Sequence, residues 1–142
     1  MRKQRLSSPL GEALRELRVA AGLSKGALAR KAGITLAAIR RAESGAANMS
    51  RMQQLADVYG LELQVRGYGS ASVGEALKLL RQSRHISVSR LVELAGVPPA
   101  TIVRIERKLS ARISAVEALA RTLGVELAFA VKRSISPAPR DC

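Results

Sequence analysis

The side chains in this sequence that could do chemistry are mostly cations. Lys and Arg number 24 against 11 Asp and Glu, a formal charge of +13 at neutral pH, and Arg far outnumbers Lys. A guanidinium donates from a planar fork that fits phosphate oxygens and base edges, so this balance points to a polyanionic partner: DNA, RNA or an anionic membrane surface. The excess is shared along the chain. Residues 1–66 carry 12 basic and 5 acidic side chains, and residues 67–142 carry 12 and 6. Other chemistries lack their parts. His85 is the only histidine and Cys142 the only cysteine, so neither an intrachain disulfide nor a Cys/His metal set can form. There is no carboxylate pair in a motif, no Gly-rich phosphate loop, and no nucleophile beside a base. An enzyme is not expected, and no cofactor or metal. No apolar run approaches the roughly 20 residues of a membrane span. Met1 to Pro9 is basic without an apolar signal core. A cytoplasmic protein with no membrane partner is expected.

The elements that must position these cations occur twice. Laid over Val73–Lys108, the stretch Leu10–Gly45 repeats Gly11/Gly74, Glu12/Glu75, Leu14/Leu77, Arg18/Arg81, Ser24/Ser87, Leu28/Leu91, Gly33/Gly96, Ile39/Ile102, Arg41/Arg104 and Glu43/Glu106. One residue is then inserted in the second copy. The match resumes with Ser50/Ser114, Leu55/Leu119, Gly60/Gly124 and Leu63/Leu127. Matching runs on both sides of one insertion define two copies of one domain. The division is a basic tail at 1–9, copy one at 10–66, a Gly/Ser linker at 67–72, copy two at 73–133 and a loose tail at 134–142 that includes Cys142.

Each copy reads as four helices and a strand, so the fold class is mostly α. In copy one, Leu10, Leu14 and Leu17 form a stripe on a helix ended by Gly22. Ser24 caps a short second helix over Lys25–Ala32, which Gly33 stops with a left-handed turn. Thr35 caps a third helix running to Ser44. Ser50 caps a fourth, and Leu61–Arg66 alternates as a half-buried strand. Copy two follows over Val73–Arg84, Ser87–Ala95, Pro99–Arg107, Ser114–Leu123 and Val125–Lys132. Pro99 falls in the first turn, where its missing N–H costs little.

The stretch Leu23–Gly45, with its cap, Leu28, Ala32-Gly33, Ile39 and Glu43, resembles the XRE (lambda-repressor-like) helix-turn-helix family. Ile86–Lys108 resembles it in the same register. The resemblance implies two tandem domains of that fold and a double-stranded DNA partner. It also implies that the third helix enters the major groove and that Ser24 and Lys25 hold phosphates at the second helix N-terminus. Ala32 and Gly33 are expected to be small because two helices cross at that turn. Leu28, Ile34, Ala38, Ile39 and Ala42 are expected in the core. A helical wheel sets Ala37, Arg40, Arg41 and Ser44 opposite Ile39, and Thr35 and Leu36 lead into that face. Arg41 is long enough to reach guanine O6 and N7. In copy two the corresponding face holds Pro99, Ala100, Val103, Arg104 and Arg107, with Ser87 as the cap and Lys108 beyond. Copy two departs from the pattern: Val88 stands for Lys25, Pro98 for Thr35, Lys108 for Gly45. His85 stands for Gly22 at a helix end, where a cation is favoured. The resemblance further implies structural ion pairs, Arg18 with Glu43 and Arg81 with Glu106, tying the first helix of each copy to the third.

The expected function is a sequence-specific DNA-binding regulator, a repressor, reading two unequal half-sites. One alternative is an antitoxin-like protein that binds a toxin-like enzyme and controls its own operon. Another is a non-specific coater of nucleic acid. The two strands are expected to pair antiparallel with each other, making one chain a pseudo-dimer, or else with strands of a second chain in a homodimer.

Overall fold

The computed structural model describes residues 8–69 and 71–132. The tail expectations for 1–7 and 134–142, Cys142 included, lie outside the described residues. Copy one consists of α1 (Pro9–Ala20), α2 (Lys25–Ala32), α3 (Leu36–Glu43), α4 (Met49–Val58) and β1 (Leu61–Val65). Copy two repeats the order as α5 (Val73–Ser83), α6 (Val88–Ala95), α7 (Pro99–Glu106), α8 (Ile113–Thr122) and β2 (Leu127–Val131).

Local chemistry sets most boundaries. The Ser24 hydroxyl accepts the Ala27 N–H and starts α2; the Ser87 hydroxyl does the same for Arg90 and α6. Gly33 and Gly96 end these helices in the left-handed region, at φ 72° and 71°. A Cβ on Gly33 would meet no atom within 4 Å. Glycine stands there for its backbone conformation, then, and not because helices crowd that turn. The close crossing is elsewhere. A Cβ on Gly11 would lie 2.6 Å from the Glu43 carbonyl oxygen, and one on Gly74 would strike the Ile105 carbonyl. These glycines let α1 settle on α3, and α5 on α7.

Three helix starts differ from the sequence reading. The first helix begins at Pro9, capped by Ser8, whose hydroxyl accepts the Gly11 N–H. The fourth helices begin after Asn48 and Arg112, not after Ser50 and Ser114. The Asn48 side chain accepts the Arg51 N–H, and the Ser50 hydroxyl donates back to Asn48. Arg112 offers no side-chain cap. The Asn48 cap is local, whereas at Arg112 the helix start coincides with a backbone contact between the copies.

That contact has twofold form. Asn48 bridges Arg112, its own counterpart at the spacing of 64 that relates the later parts of the copies. The Met49 N–H donates to the Ala111 carbonyl and the Ile113 N–H to the Ala47 carbonyl, each at 2.8 Å and each the counterpart of the other. The strands repeat the relation. β1 and β2 pair antiparallel from Leu61↔Val131 to Val65↔Leu127, and within this register Gln64 faces its own counterpart, Ala128. Two such self-pairs define a local twofold axis through the chain, the geometry of an isologous dimer interface built into one molecule. Of the two pairings open to the strands, the chain uses the internal one.

The core runs continuously through both copies. Leu14, Leu28, Ile39, Met52 and Leu55 are fully buried in copy one, as are Leu77, Leu91, Ile102, Ile113 and Leu119 in copy two. Burying each contributes about 1.5–3 kcal/mol relative to exposure. Ala38 and Ala42 are buried as expected, while Ile34 packs half-buried at the rim.

Candidate nucleic-acid interface

The third helix of each copy is held from behind by a charged clamp. Arg18 Nε donates to Glu43 at 2.7 Å and Nη2 at 3.2 Å, while Nη1 donates to the Leu23 carbonyl at 3.0 Å. One guanidinium thus joins α1, the turn into α2, and α3. Copy two repeats it: Arg81 reaches Glu106 at 2.7 and 3.0 Å and the Ile86 carbonyl at 2.9 Å. All four side chains are nearly buried, so the paired charges keep their hydrogen bonds out of water. Glu43 holds Arg18 above the usual arginine range against the opposing effect of burial, and Glu106 does the same for Arg81.

The outer face of α3 is open. Leu36, Ala37, Arg40, Arg41 and Ser44 are exposed, opposite buried Ile39. Thr35 caps this helix by accepting the Ala38 N–H at 3.0 Å, and its hydroxyl proton stays free to donate. Among the described residues the Arg41 guanidinium has no hydrogen-bond partner. At the N-terminus of α2, Ser24 is exposed and Lys25 half-buried. An anion there would meet backbone N–H groups and the positive helix end.

Copy two offers the same frame with different contents. Pro99, Ala100, Val103, Arg104, Arg107 and Lys108 are exposed on and just beyond α7, and Ser87 is exposed at the start of α6. Pro98 precedes α7 and gives no side-chain cap. Lys108 holds the left-handed turn made by Gly45 in copy one, at φ 67° against 83°, and His85 holds the turn of Gly22 at φ 56°. Arg104 is not free: Nε and Nη2 donate to the Ser110 carbonyl at 3.2 and 2.8 Å. The structure therefore brings Arg18 to Glu43 and Arg81 to Glu106, and clusters the cations of each third helix, but treats Arg41 and Arg104 differently.

One residue of consequence went unread in the sequence. Glu117 of α8 is 7% exposed and accepts hydrogen bonds from the Ser8 hydroxyl at 2.9 Å and the Leu10 N–H at 3.2 Å. A copy-two carboxylate thus holds the start of copy one's first helix, where negative charge is favoured. The signal was present. Ile113, Val116 and Ala120 form an apolar i, i+3, i+7 stripe, and Glu117 is a charge set within it. Its counterpart Gln53 stays inside copy one, accepting the Leu63 N–H at 2.8 Å.

The arrangement defines a class: a small helical scaffold that presents two exposed, cationic third helices about a local twofold axis. The comparisons agree. A family profile described as "Helix-turn-helix domain" matches residues 9–66, and one described as "Helix-turn-helix" matches residues 77–129. No curated protein and no solved structure matches the chain significantly. The chain carries two helix-turn-helix domains of the XRE type in tandem, which makes it a DNA-binding protein of the regulator class. Among the described residues, no helix is long and apolar enough to cross a membrane.

Proposed function

We propose that the protein is a cytoplasmic, sequence-specific transcriptional repressor. Both third helices of one chain lie in successive major grooves of an operator with two unequal half-sites. The observation that carries this reading is the local twofold axis, formed within one chain by the strand pair and the Asn48–Arg112 bridge. Two related helix-turn-helix units so joined match the symmetry of two half-sites one DNA turn apart, roughly 34 Å. Arg41 and Arg40 reach base edges in the first half, and Leu36, Ala37 and Ser44 set which bases fit beside them. Ser24, Lys25 and Thr35 hold phosphates. In the second half Pro99, Ala100, Val103 and Arg107 present a different face, with Ser87 and Lys108 on the backbone. Repression follows from occupying the site.

The test is to select bound duplexes from a random pool and footprint them. Two distinct half-sites about one turn apart are expected. Arg41→Ala should weaken binding by roughly 1–3 kcal/mol and relax one half only. A flat affinity across sequences would leave only the non-specific coater.

The antitoxin-like reading draws support from one feature. A largely apolar groove of about 600 Å³ lies between α1, α8 and β2, walled by Leu17, Ala20, Val125 and Phe129. Its counterpart of about 580 Å³ lies between α4, β1 and the start of α5. A stoichiometric enzyme that co-purifies with the chain and is inhibited by it would favour this second role.

A further inference from the structure

The inserted residue of copy two lies in the turn after α7. Between Gly45 and Asn48 copy one has Ala46 and Ala47; between Lys108 and Arg112 copy two has Leu109, Ser110 and Ala111. The longer turn places a carbonyl beside the third helix. Arg104 takes it, donating twice to the Ser110 oxygen at 3.2 and 2.8 Å. That uses the Nε–Nη2 edge of the fork, one of the edges that could pair bidentately with a guanine. The corresponding turn of copy one offers nothing comparable. In both copies the arginine carbonyl accepts the N–H five residues on, from Ala46 in copy one and Leu109 in copy two, but among the described residues no carbonyl accepts from the Arg41 side chain.

The clasp does not end at Ser110. Its hydroxyl oxygen accepts the Ser50 N–H at 3.3 Å and lies 3.3 Å from the Ser50 hydroxyl, at the start of α4 in copy one. Asn48 and Arg112, the self-pair on the twofold axis, stand immediately beside it. A chain of contacts therefore runs from the second third helix, through the inserted turn, to the first copy at the axis.

We propose that Arg104 is a positioning residue and not a base reader. It locks the turn Leu109–Ala111 and so fixes the angle and spacing between the two third helices. At this place in the repeat, base recognition by an arginine then falls on copy one alone, through Arg41, while copy two is left with Arg107 one turn further on. The inference rests on the DNA-binding reading above and adds a division of labour between the halves of the operator.

The experiment uses the full chain, an operator selected by it, and variants of that operator with one extra base pair between the halves. The unaltered protein should bind the lengthened site at least tenfold more weakly. Arg104→Ala should leave base preference within twofold at every position but reduce the spacing penalty to under threefold. Arg104→Lys, with a single ammonium for the carbonyl, should fall between. A tenfold or greater relaxation at one base of the second half-site in Arg104→Ala would make it a reader and overturn the proposal. So would a variant with both preference and spacing penalty unchanged. A second readout needs no DNA. Amide exchange at Met49 and Ile113, whose N–H groups cross between copies, should speed at least threefold in Arg104→Ala. Unchanged protection there overturns the clasp. If the unaltered chain selects no sequence, the sequence-specific reading fails by itself, and the exchange result still decides the clasp.

Discussion

In copy one the turns after the first and third helices are made by Gly22 and Gly45. In copy two the same left-handed turns are made by His85 and Lys108. Around the second helix N-terminus, copy one sets Lys25 where copy two sets Val88. Behind the fourth helix, copy one sets Tyr59 where copy two sets buried Leu123. The clamps behind the third helices are alike to within a few tenths of an ångström. The difference teaches where each constraint lies. What orients a third helix is kept in both copies. What faces outward, or turns the chain at the surface, has been changed in one copy without altering the frame.

The largest effect should come from the shared part. Glu43→Ala and Glu106→Ala each strand a nearly buried guanidinium, and each should destabilise the chain by about 1–3 kcal/mol in denaturant titration. If only one of them does so, the copies are not equivalent frames. Salt dependence of DNA binding sharpens the contrast at the second helices. Log affinity should fall with log salt by about 0.9 for each phosphate contacted. Lys25→Val, which imposes the copy-two residue on copy one, should shallow that slope by about 0.9, and Val88→Lys should steepen it. Equal slopes for all three proteins would show that neither helix end touches phosphate.

The turns predict a gain. A side chain in the left-handed region costs roughly 1–2 kcal/mol that glycine avoids. His85→Gly and Lys108→Gly should each raise stability by about 1 kcal/mol, and Gly22→Ala should lower it by a similar amount. A destabilised His85→Gly would mean that its side chain does more at that helix end than any contact in the structure shows.

The smallest effect sits at Tyr59. Its hydroxyl is buried among the described residues without a hydrogen-bond partner. Burial pushes the phenol up from its ordinary range; the Glu43 carboxylate pushes the same way and Arg18 opposes. The folded state thus prefers the neutral phenol. That preference is fully present below the unfolded value of about 10 and is lost as pH rises through the higher folded one. Tyr59→Phe should change neutral-pH stability by less than about 1 kcal/mol, in the favourable direction, and remove that alkaline loss. Copy two, with Leu123 at this place, should contribute no such step.

Two copies, their helices and the alternating strands were legible in the chain because each signal acts over a few residues. Ser24, Ser87 and Thr35 cap by reaching an N–H three residues on, and Gly33 turns the chain with its own dihedral angle. The apolar stripes repeat within single helices. Only the tertiary structure decided the rest. Leu61–Val65 has the same alternation whether its partner strand lies in the same chain or in another, so spacing could not choose β2. The fourth helices begin just after Asn48 and Arg112, where backbones from the two copies meet 64 residues apart; Asn48 adds a local cap and Arg112 none. Glu117 looked like one more helical charge until Ser8 and Leu10 were found against it. Arg41 and Arg104 occupy equal places in the repeat. Their surroundings differ because one inserted residue moved a carbonyl, and the placement of an acceptor in space is not a property of either arginine's own helix.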